Sequence, residues 1–410
     1  MVGESSLKVP LGILADDLTG ALDAAGPFAS RGWHTQVVLD GQQFSFSAPI
    51  RAISTESRML PPMEATTRVA QAACILNTPS LFKKLDSLLR GPIASEIHAV
   101  IDERNPDLVI IAPAFPAQGR TTLGGIQHAH GQPLDEHVIR DPFAPTQTGN
   151  LTHLLASEGI ATQVIPLDVV RSTGEVLQRA FSEACSIGRV LVIDAERQKD
   201  LEHIARTSVA SQKQILWCGT AGLASALAAI LPQRPLFTLS PPVNRVLIVC
   251  GSLHPNSAQQ CEYLRNQAEV KEIVLDRPLL HDPLRVAERI QQGFADETPC
   301  VLLQPGNLAN HTTISMQREE VLTFLKQLAS YLHGIPSLGL IATGGDTAAA
   351  IYRGFGLTHL EPSGMVSEGI PYSIGRRGQD HGITLVTKAG AFGDPSTLYN
   401  SMLSLVGKIS

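Results

Sequence analysis

Short apolar runs alternate along this chain with longer stretches whose apolar positions recur every three or four residues. The short runs predict strands at 11–15, 35–39, 81–86, 108–112, 162–166, 189–194 and 214–218, then at 245–250, 271–275, 299–304, 338–343 and 383–387. The longer stretches predict helices around 19–31, 64–76, 88–104, 174–187, 221–231, 255–268, 283–293, 314–333 and 346–354. Strand and helix taking turns at this spacing is the pattern of βαβ units, in which helices cover both faces of a parallel sheet. The predicted fold class is therefore α/β, with mostly parallel sheets flanked by helices. Between Leu231 and Val243, four prolines in thirteen residues break the alternation. Proline fixes φ and removes a hydrogen-bond donor, so this segment reads as an extended linker. It divides the chain into two α/β domains, 1–235 and 243–410.

The 410 residues are 43% hydrophobic and 17% charged, ample for two packed cores. A net charge of −6 with no basic block disfavours nucleic acid as a partner. An anionic ligand must then be held by a few placed cations. Six cysteines, none in a Cys-x-x-Cys pair, suggest neither a zinc site nor a disulfide framework. His128, His130 and His137 match no metal-ligand spacing, so no metal site is expected. The start lacks the apolar core of a signal peptide and no long uncharged apolar stretch follows, so no membrane partner and a cytoplasmic location are expected.

Candidate chemistry lies where apolar runs end. The first run stops at Asp16-Asp17 and is followed by Leu-Thr19-Gly20. Ligands in open α/β sheets bind at the carboxyl ends of strands. Two adjacent acids there cost desolvation and repulsion, which points to catalysis; a helix cap by Asp17 or Thr19 is the alternative. After the run at 81–86 comes Lys84-Leu-Asp86-Ser87-Leu-Leu-Arg90-Gly91. On a strand, Lys84 and Asp86 share a face. Ser87 and Arg90 would lie near the entry of the helix ending at Ile101, where lysine, hydroxyl and guanidinium suit a carboxylate. A Lys–Asp surface pair is the competing reading. Arg58, after the apolar stretch Ile50–Ile53, is a second cation or a solvated one. Arg120, in Pro113-Ala-Phe-Pro-Ala-Gln-Gly-Arg120, is a binding candidate or part of a structural loop.

In the second half, Ala342-Thr-Gly344-Gly345-Asp346-Thr347 joins a buried run to a helix. Such glycines let backbone amides approach phosphate oxygens, and the helix dipole adds to this. A cap by Asp346 or Thr347 is the alternative. Gly251-Ser252 and Lys388-Ala-Gly390-Ala-Phe-Gly393 stand at two more predicted strand exits. Three glycine-bearing exits in one domain resemble a nucleotide cradle. Gly219-Thr220-Ala221-Gly222 is a similar device before the linker.

Taken together, ADDLTGALDAA, KKLDSLLRG, PAFPAQGRTT, GTAGLA, the Gly251-Ser252 pair, ATGGDTA and KAGAFG resemble the four-carbon acid sugar kinases, from Gly12 to about Thr397 and in family order. The resemblance implies an N-terminal substrate domain, a C-terminal ATP domain and an active site in the inter-domain cleft. It implies phosphorylation of threonate, erythronate or 3-oxo-tetronate at the terminal hydroxyl. The acid-sugar region would hold Asp16, Arg58, Lys84, Asp86, Ser87 and Arg90, and the ATP region Ser252, Gly344, Gly345, Asp346, Thr347, Gly390 and Gly393. Catalysis would fall to Asp17 or Asp16, with Asp17 preferred as the base and Asp346 as the other candidate. Mg²⁺ would travel with ATP. Partners are then a small sugar acid and ATP, and a homodimer is compatible with the chain. The sequence departs from the usual pattern at Leu18, Leu88, Pro92, His254 and Ala391. Two rival readings are a ribokinase-like kinase of a neutral sugar and a non-catalytic nucleotide or metabolite sensor. A dinucleotide dehydrogenase is disfavoured, because no Gly-x-Gly-x-x-Gly follows the first strand.

Overall fold

The computed structural model describes residues 7–39, 44–136, 148–236, 242–252, 254–296, 298–306, 318–378 and 382–407. His137, Pro241 and the predicted helix start at 314–317 lie outside these. The chain forms two compact units, Met1–Leu236 and Phe237–Ser410.

The first unit runs β1 (Leu11–Ala15), α1 (Leu18–Ala29), β2 (Thr35–Leu39), β3 (Ile50–Ser54), α2 (Pro62–Leu76), β4 (Ser80–Lys84), α3 (Ile93–Arg104) and β5 (Leu108–Ala112). A small antiparallel sheet follows, β6 (Arg120–Leu123), β7 (Ile126–Ala129) and β8 (Gln132–Pro133). Then come α4 (Leu151–Ala156), β9 (Gln163–Ile165), α5 (Leu167–Val170), α6 (Gly174–Ile187), β10 (Val190–Ile193), α7 (Gln198–Ala210), β11 (Ile215–Gly219) and α8 (Ala221–Ile230). The main sheet of this unit has the order β2-β3-β1-β4-β11-β5-β10-β9, every pair parallel. Strands buried on both faces read as continuous apolar runs, which is why β1, β5 and β10 are legible in the sequence. Leu14, Ile53, Leu81, Ile97, Val109 and Val192 belong to one core between sheet and helices. Register aligns Ala15 with Ser54, Leu14 with Lys83, and Gly219 with both Lys84 and Ala112. Five strand exits therefore lie level along one sheet edge.

The second unit runs β12 (Arg245–Cys250), α9 (Pro255–Gln267), β13 (Val270–Leu275), α10 (Arg277–Leu280), α11 (Pro283–Ala295), β14 (Cys300–Pro305), α12 (Arg318–Tyr331), β15 (Leu338–Thr343) and α13 (Gly345–Gly354). It ends with β16 (His359–Ser367), β17 (Ile370–Arg376), β18 (Ile383–Lys388) and α14 (Thr397–Leu405). Its sheet order is β13-β14-β12-β15-β18-β17-β16, parallel as far as β18 and antiparallel across β18-β17-β16. Val246, Ile248, Leu264, Leu302, Ile341, Val386 and Leu398 share its core. Among the described residues, no helix is long and apolar enough to cross a membrane.

Two expectations about local structure are corrected. β4 stops at Lys84, and α3 starts at Ile93 rather than near residue 88. The intervening residues turn instead, with Leu89 at φ 54° and Gly91 at φ 89°. Asp86 drives this: its side chain accepts the backbone N–H groups of Leu88 and Arg90 (3.1 and 3.2 Å), a local bonding pattern that competes with helix. Ser87 and Arg90 thus sit in a turn well ahead of α3, and the helix dipole is not what faces a ligand there. Pro92 occupies the N-cap position of α3 without a side-chain cap.

Candidate active site

Asp16 and Asp17 follow β1 directly. Asp17 is the N-cap of α1: extended at φ −145°, it accepts the Gly20 N–H on Oδ1 at 2.7 Å. The cap reading and the acid-cluster reading therefore describe the same residue. The chain after β3 then zips along Asp16, whose carbonyl accepts the N–H groups of Ser57 and Arg58 (3.0 and 3.3 Å). That places Arg58 against both acids. Its Nε and Nη2 donate to the two oxygens of Asp16 (2.7 and 2.9 Å), and its Nη1 donates to Asp17 Oδ2 at 2.6 Å. Asp86 lies 3.6 Å from the same guanidinium. Arg90 grips Asp86 with two further bonds (2.9 and 2.8 Å).

Burial dominates the electrostatics, and the cations decide its outcome. Burial raises Asp16, but the charge and hydrogen bonds of Arg58, then the charge of Lys83, outweigh it and hold that carboxyl below the usual range. Burial also raises Asp17; there the Asp16 charge adds to it, Arg58, Lys84 and the Gly20 N–H fall short, and the carboxyl stays above its ordinary value. Asp86 is raised by burial yet ends far below the carboxylate range, because Arg90, Arg58 and Lys84 surround it. Burial would lower Arg58, but the charges of Asp16, Asp17 and Asp86 lift it well above its ordinary value.

The two lysines of β4 point to opposite faces of the sheet, as adjacent strand residues must. Lys84 Nζ donates to the Leu85 carbonyl (3.0 Å) and lies 3.7 Å from Asp23 of α1. Lys83 Nζ meets Glu96 of α3 at 2.7 Å, and Glu96 also accepts the Ser57 hydroxyl. Lys83, Glu96 and Ser57 form a second buried group that acts on Asp16, and sequence reading pointed to none of the three. The signal was present in the Lys-Lys pair itself: two lysines on a buried strand each need an acceptor. Ser87 is buried, and its carbonyl accepts from Gln127 Nε2 at 3.1 Å. Lys84, Asp86, Ser87, Arg90, Arg58, Asp16 and Asp17 are thus brought to one sheet edge, as are Thr220, which caps α8 and donates to the Ala114 carbonyl, and Arg120.

The second unit has its own converging edge. Cys250, Thr343 and Lys388 are in register as the last residues of β12, β15 and β18. Gly344 is the N-cap of α13, with φ 98° and no side-chain cap. A side chain at that φ would be strained, and the uncapped first turn presents Gly345 and Asp346, with Thr347 buried behind them. Gly390 approaches Ser252 so closely that a Cβ would stand 1.8 Å from its Oγ. The loop carrying Gly390 and Gly393 is fastened to α9: Ser257 donates to the Gly390 carbonyl (3.1 Å), Asn256 to Ala391 (3.0 Å), and Gln260 to Phe392 and Asp394 (3.0 and 2.9 Å). His254 is the N-cap of α9, its Nδ1 accepting the Asn256 N–H. Asp346 is held by Arg318 in two bonds of 2.8 and 2.7 Å, a partner the sequence did not suggest. Lys388 is fully buried beneath the loop, where Nζ reaches the Gly390 carbonyl at 3.4 Å. Burial lowers its ammonium to about 8, against the opposing charges of Cys250 and Cys261.

Comparison with known proteins matches both regions. A family model described as a sugar-binding N-terminal domain matches residues 11–227, and one described as a nucleotide-binding C-terminal domain matches residues 247–398. A D-threonate kinase of Cupriavidus necator is 32% identical over 95% of this chain and 96% of its own length. A D-erythronate kinase of Heliobacterium modesticaldum is 28% identical over 97% of each. A solved Salmonella typhimurium structure, titled a putative tRNA synthase, is 21% identical and covers 95% of this chain and 98% of that one with a TM-score of 0.79, which supports the fold.

Proposed function

The chain belongs to the four-carbon acid sugar kinase family, and from that premise we propose that it transfers the γ-phosphoryl group of ATP to the terminal hydroxyl of threonate, erythronate or 3-oxo-tetronate. The observation that carries the reading is the buried cluster of Asp16, Asp17 and Asp86 threaded by Arg58 and Arg90 at the strand exits of the sugar-binding region. A neutral core has no use for such a cluster, whereas phosphoryl transfer needs a hydroxyl positioned and its proton received.

The two acids take different roles because their surroundings push them apart. Asp16, held below the carboxylate range by Arg58, stays ionised and accepts a substrate hydroxyl. Asp17, raised by burial, is the better proton acceptor and serves as general base for the terminal hydroxyl. Arg58 keeps both acids in place, and Lys84, Asp86, Ser87 and Arg90 complete the sugar side. In the second unit, Ser252, Gly344, Gly345, Thr347, Gly390 and Gly393 form the phosphate cradle. Its fit rests on the uncapped α13 N-terminus and on the close Gly390–Ser252 approach, which leaves backbone rather than side chains at the surface. Asp346 lies in the same turn and is nearly half exposed, but Arg318 holds both its oxygens, so it would meet the nucleotide's Mg²⁺ through water. That ion supplies charge neutralisation at the phosphate oxygens.

A Mg-ATP assay coupled to ADP release tests this across D- and L-threonate, D- and L-erythronate and their 3-oxo forms, with neutral sugars alongside. Turnover is expected with a sugar acid. Preference for a neutral sugar would replace this reading with a ribokinase-like one. Ligand-dependent thermal shifts without ADP release would make the chain a sensor.

A further inference from the structure

The cations around Asp86 are nearly all committed to the protein's own acids. Arg58 serves Asp16 and Asp17, Arg90 serves Asp86, and Lys84 lies beside Asp23. Arg120 is different. It is 5% exposed, and among the described residues no carboxylate pairs with it. Its Nη1 meets the Gln118 carbonyl and His130 Nε2, the latter at 3.3 Å. Its Nε is buried and has no hydrogen-bond partner. A buried guanidinium left this way is costly, so a fold keeps one where an anion comes to it.

Its position is built rather than incidental. Arg120 opens β6, and its backbone N–H and carbonyl both pair with Phe115 across the loop that leaves β5. Gln127, on the neighbouring β7, donates through Nε2 to the carbonyls of Ser87 and Pro113, each at 3.1 Å, and accepts the Thr122 hydroxyl at 2.7 Å. This side chain fastens the hairpin to the Asp86–Arg90 turn. At the hairpin tip, Asp194 accepts the N–H groups of Gly124 and Gly125 (2.7 and 2.9 Å). The electrostatics agree on the neighbourhood: burial lowers the Arg120 guanidinium, the Asp86 charge opposes this, and the Arg90 charge adds to it.

We propose that Arg120 binds the substrate carboxylate and so sets the preference for an acid over a neutral sugar. The proposal rests on the kinase reading above and deepens it. Arg58 and Arg90 are poor alternatives because each is already neutralised, whereas the planar fork of Arg120 has an unused donor. His130 positions the guanidinium from behind through Nη1.

The test compares D-threonate and D-erythronate with the uncharged polyols threitol and erythritol in the unmodified protein, Arg120→Gln and Arg120→Lys. In Arg120→Gln, kcat/KM for the acids should fall by about 10²-fold, mostly through KM, as for loss of a charge-assisted pair. The polyol kcat/KM and the KM for ATP should change by less than about threefold. Arg120→Lys keeps the charge without the fork and should lose about tenfold on the acids alone. Equal losses on acids and polyols, or a raised KM for ATP, would make Arg120 a structural residue and overturn the proposal. Thermal midpoints are measured first; should Arg120→Gln unfold, Arg120→Lys decides by the same ratio. Failure of the underlying reading looks different, since the unmodified protein would then prefer polyols or show no acid-dependent ADP release.

Discussion

Substituting Asp17 separates two jobs that one side chain performs. Its Oδ1 caps α1 through Gly20 at 2.7 Å, and its Oδ2 meets Arg58 at 2.6 Å. Asp17→Asn keeps a cap oxygen, because asparagine accepts the same N–H. Arg58 retains its two bonds to Asp16, although the amide NH₂ then faces its Nη1 donor to donor and offsets part of the gain. The sign of the pH linkage favours the amide. A carboxyl held above 3.8 in the fold keeps its proton longer than in the unfolded chain, so stability falls as pH rises through that window. The penalty grows as the carboxyl ionises, and the amide removes it. Asp17→Asn should therefore melt at or above the temperature of the unmodified protein at pH 7. Asp17→Ala loses the cap and should be less stable than Asp17→Asn by about 1 kcal/mol. Both should lose about 10²-fold or more in kcat, the contribution of a general base. Coupled ADP release gives kcat, and thermal denaturation gives the stability difference. A kcat for Asp17→Asn within about threefold of the unmodified protein would remove Asp17 from proton transfer. Loss of kcat in Asp17→Ala alone would reduce the residue to a cap.

Three further outcomes are expected. Gly390→Ala forces a Cβ onto Ser252 Oγ and should raise the KM for ATP about tenfold or more, as expected where a phosphate cradle loses its backbone approach, while thermal protection by the sugar acid is unchanged; unchanged ATP kinetics would place the cradle elsewhere. Lys388 falls from 10.5 to about 8 on folding, a cost of about 3 kcal/mol that is present below pH 8 and disappears between there and pH 10.5. Lys388→Met should accordingly be more stable than the unmodified protein in denaturant titrations at pH 7, with the advantage shrinking toward pH 10; a constant difference across that range would refute the linkage. Lys83→Met strands the Glu96 charge and should cost about 3–5 kcal/mol, whereas Lys83→Met with Glu96→Met should recover most of it. A double variant no more stable than the single one would show that the pair is not what holds α3 to β4.

The parallel strands except β3, whose short run Arg51 interrupts, and most helices were legible because their apolar faces are continuous and glycine or acid marks their ends. The β16–β17 hairpin was not. Pro362, Gly364 and Pro371 break its alternation, and register shifts between Pro362 and Gly364 and between Met365 and Ser367 move side chains from one face to the other. α7 was readable in principle, since Leu201, Ile204, Ala205 and Ser208 are buried at helical spacing. In the site, the local strings Asp16-Asp17, Lys84–Arg90 and the three glycine exits were visible as strings. Their pairing was not, because the partners come from afar: Arg58, named as a candidate cation and placed beside Asp16 by the family resemblance alone, is 42 residues from it, and Arg318, not suggested at all, is 28 residues from Asp346. No spacing rule reaches across such separations. The helix expected from residue 88 failed for a local reason, the side-chain bonds of Asp86 to the following backbone.

Both oxygens of Asp17 are already in use, one facing Gly20 and the other Arg58. The carboxylate therefore has no freedom to swing toward a hydroxyl that arrives short or long. With Arg120 equally fixed by its hairpin, acid and guanidinium in their proposed roles would be the two jaws of a rigid caliper. A sugar acid would then be judged by the distance between its first and last carbons. A chain one carbon shorter or longer would sit on the guanidinium with its hydroxyl out of register, bound but unreactive, and would act as an inhibitor rather than a poor substrate.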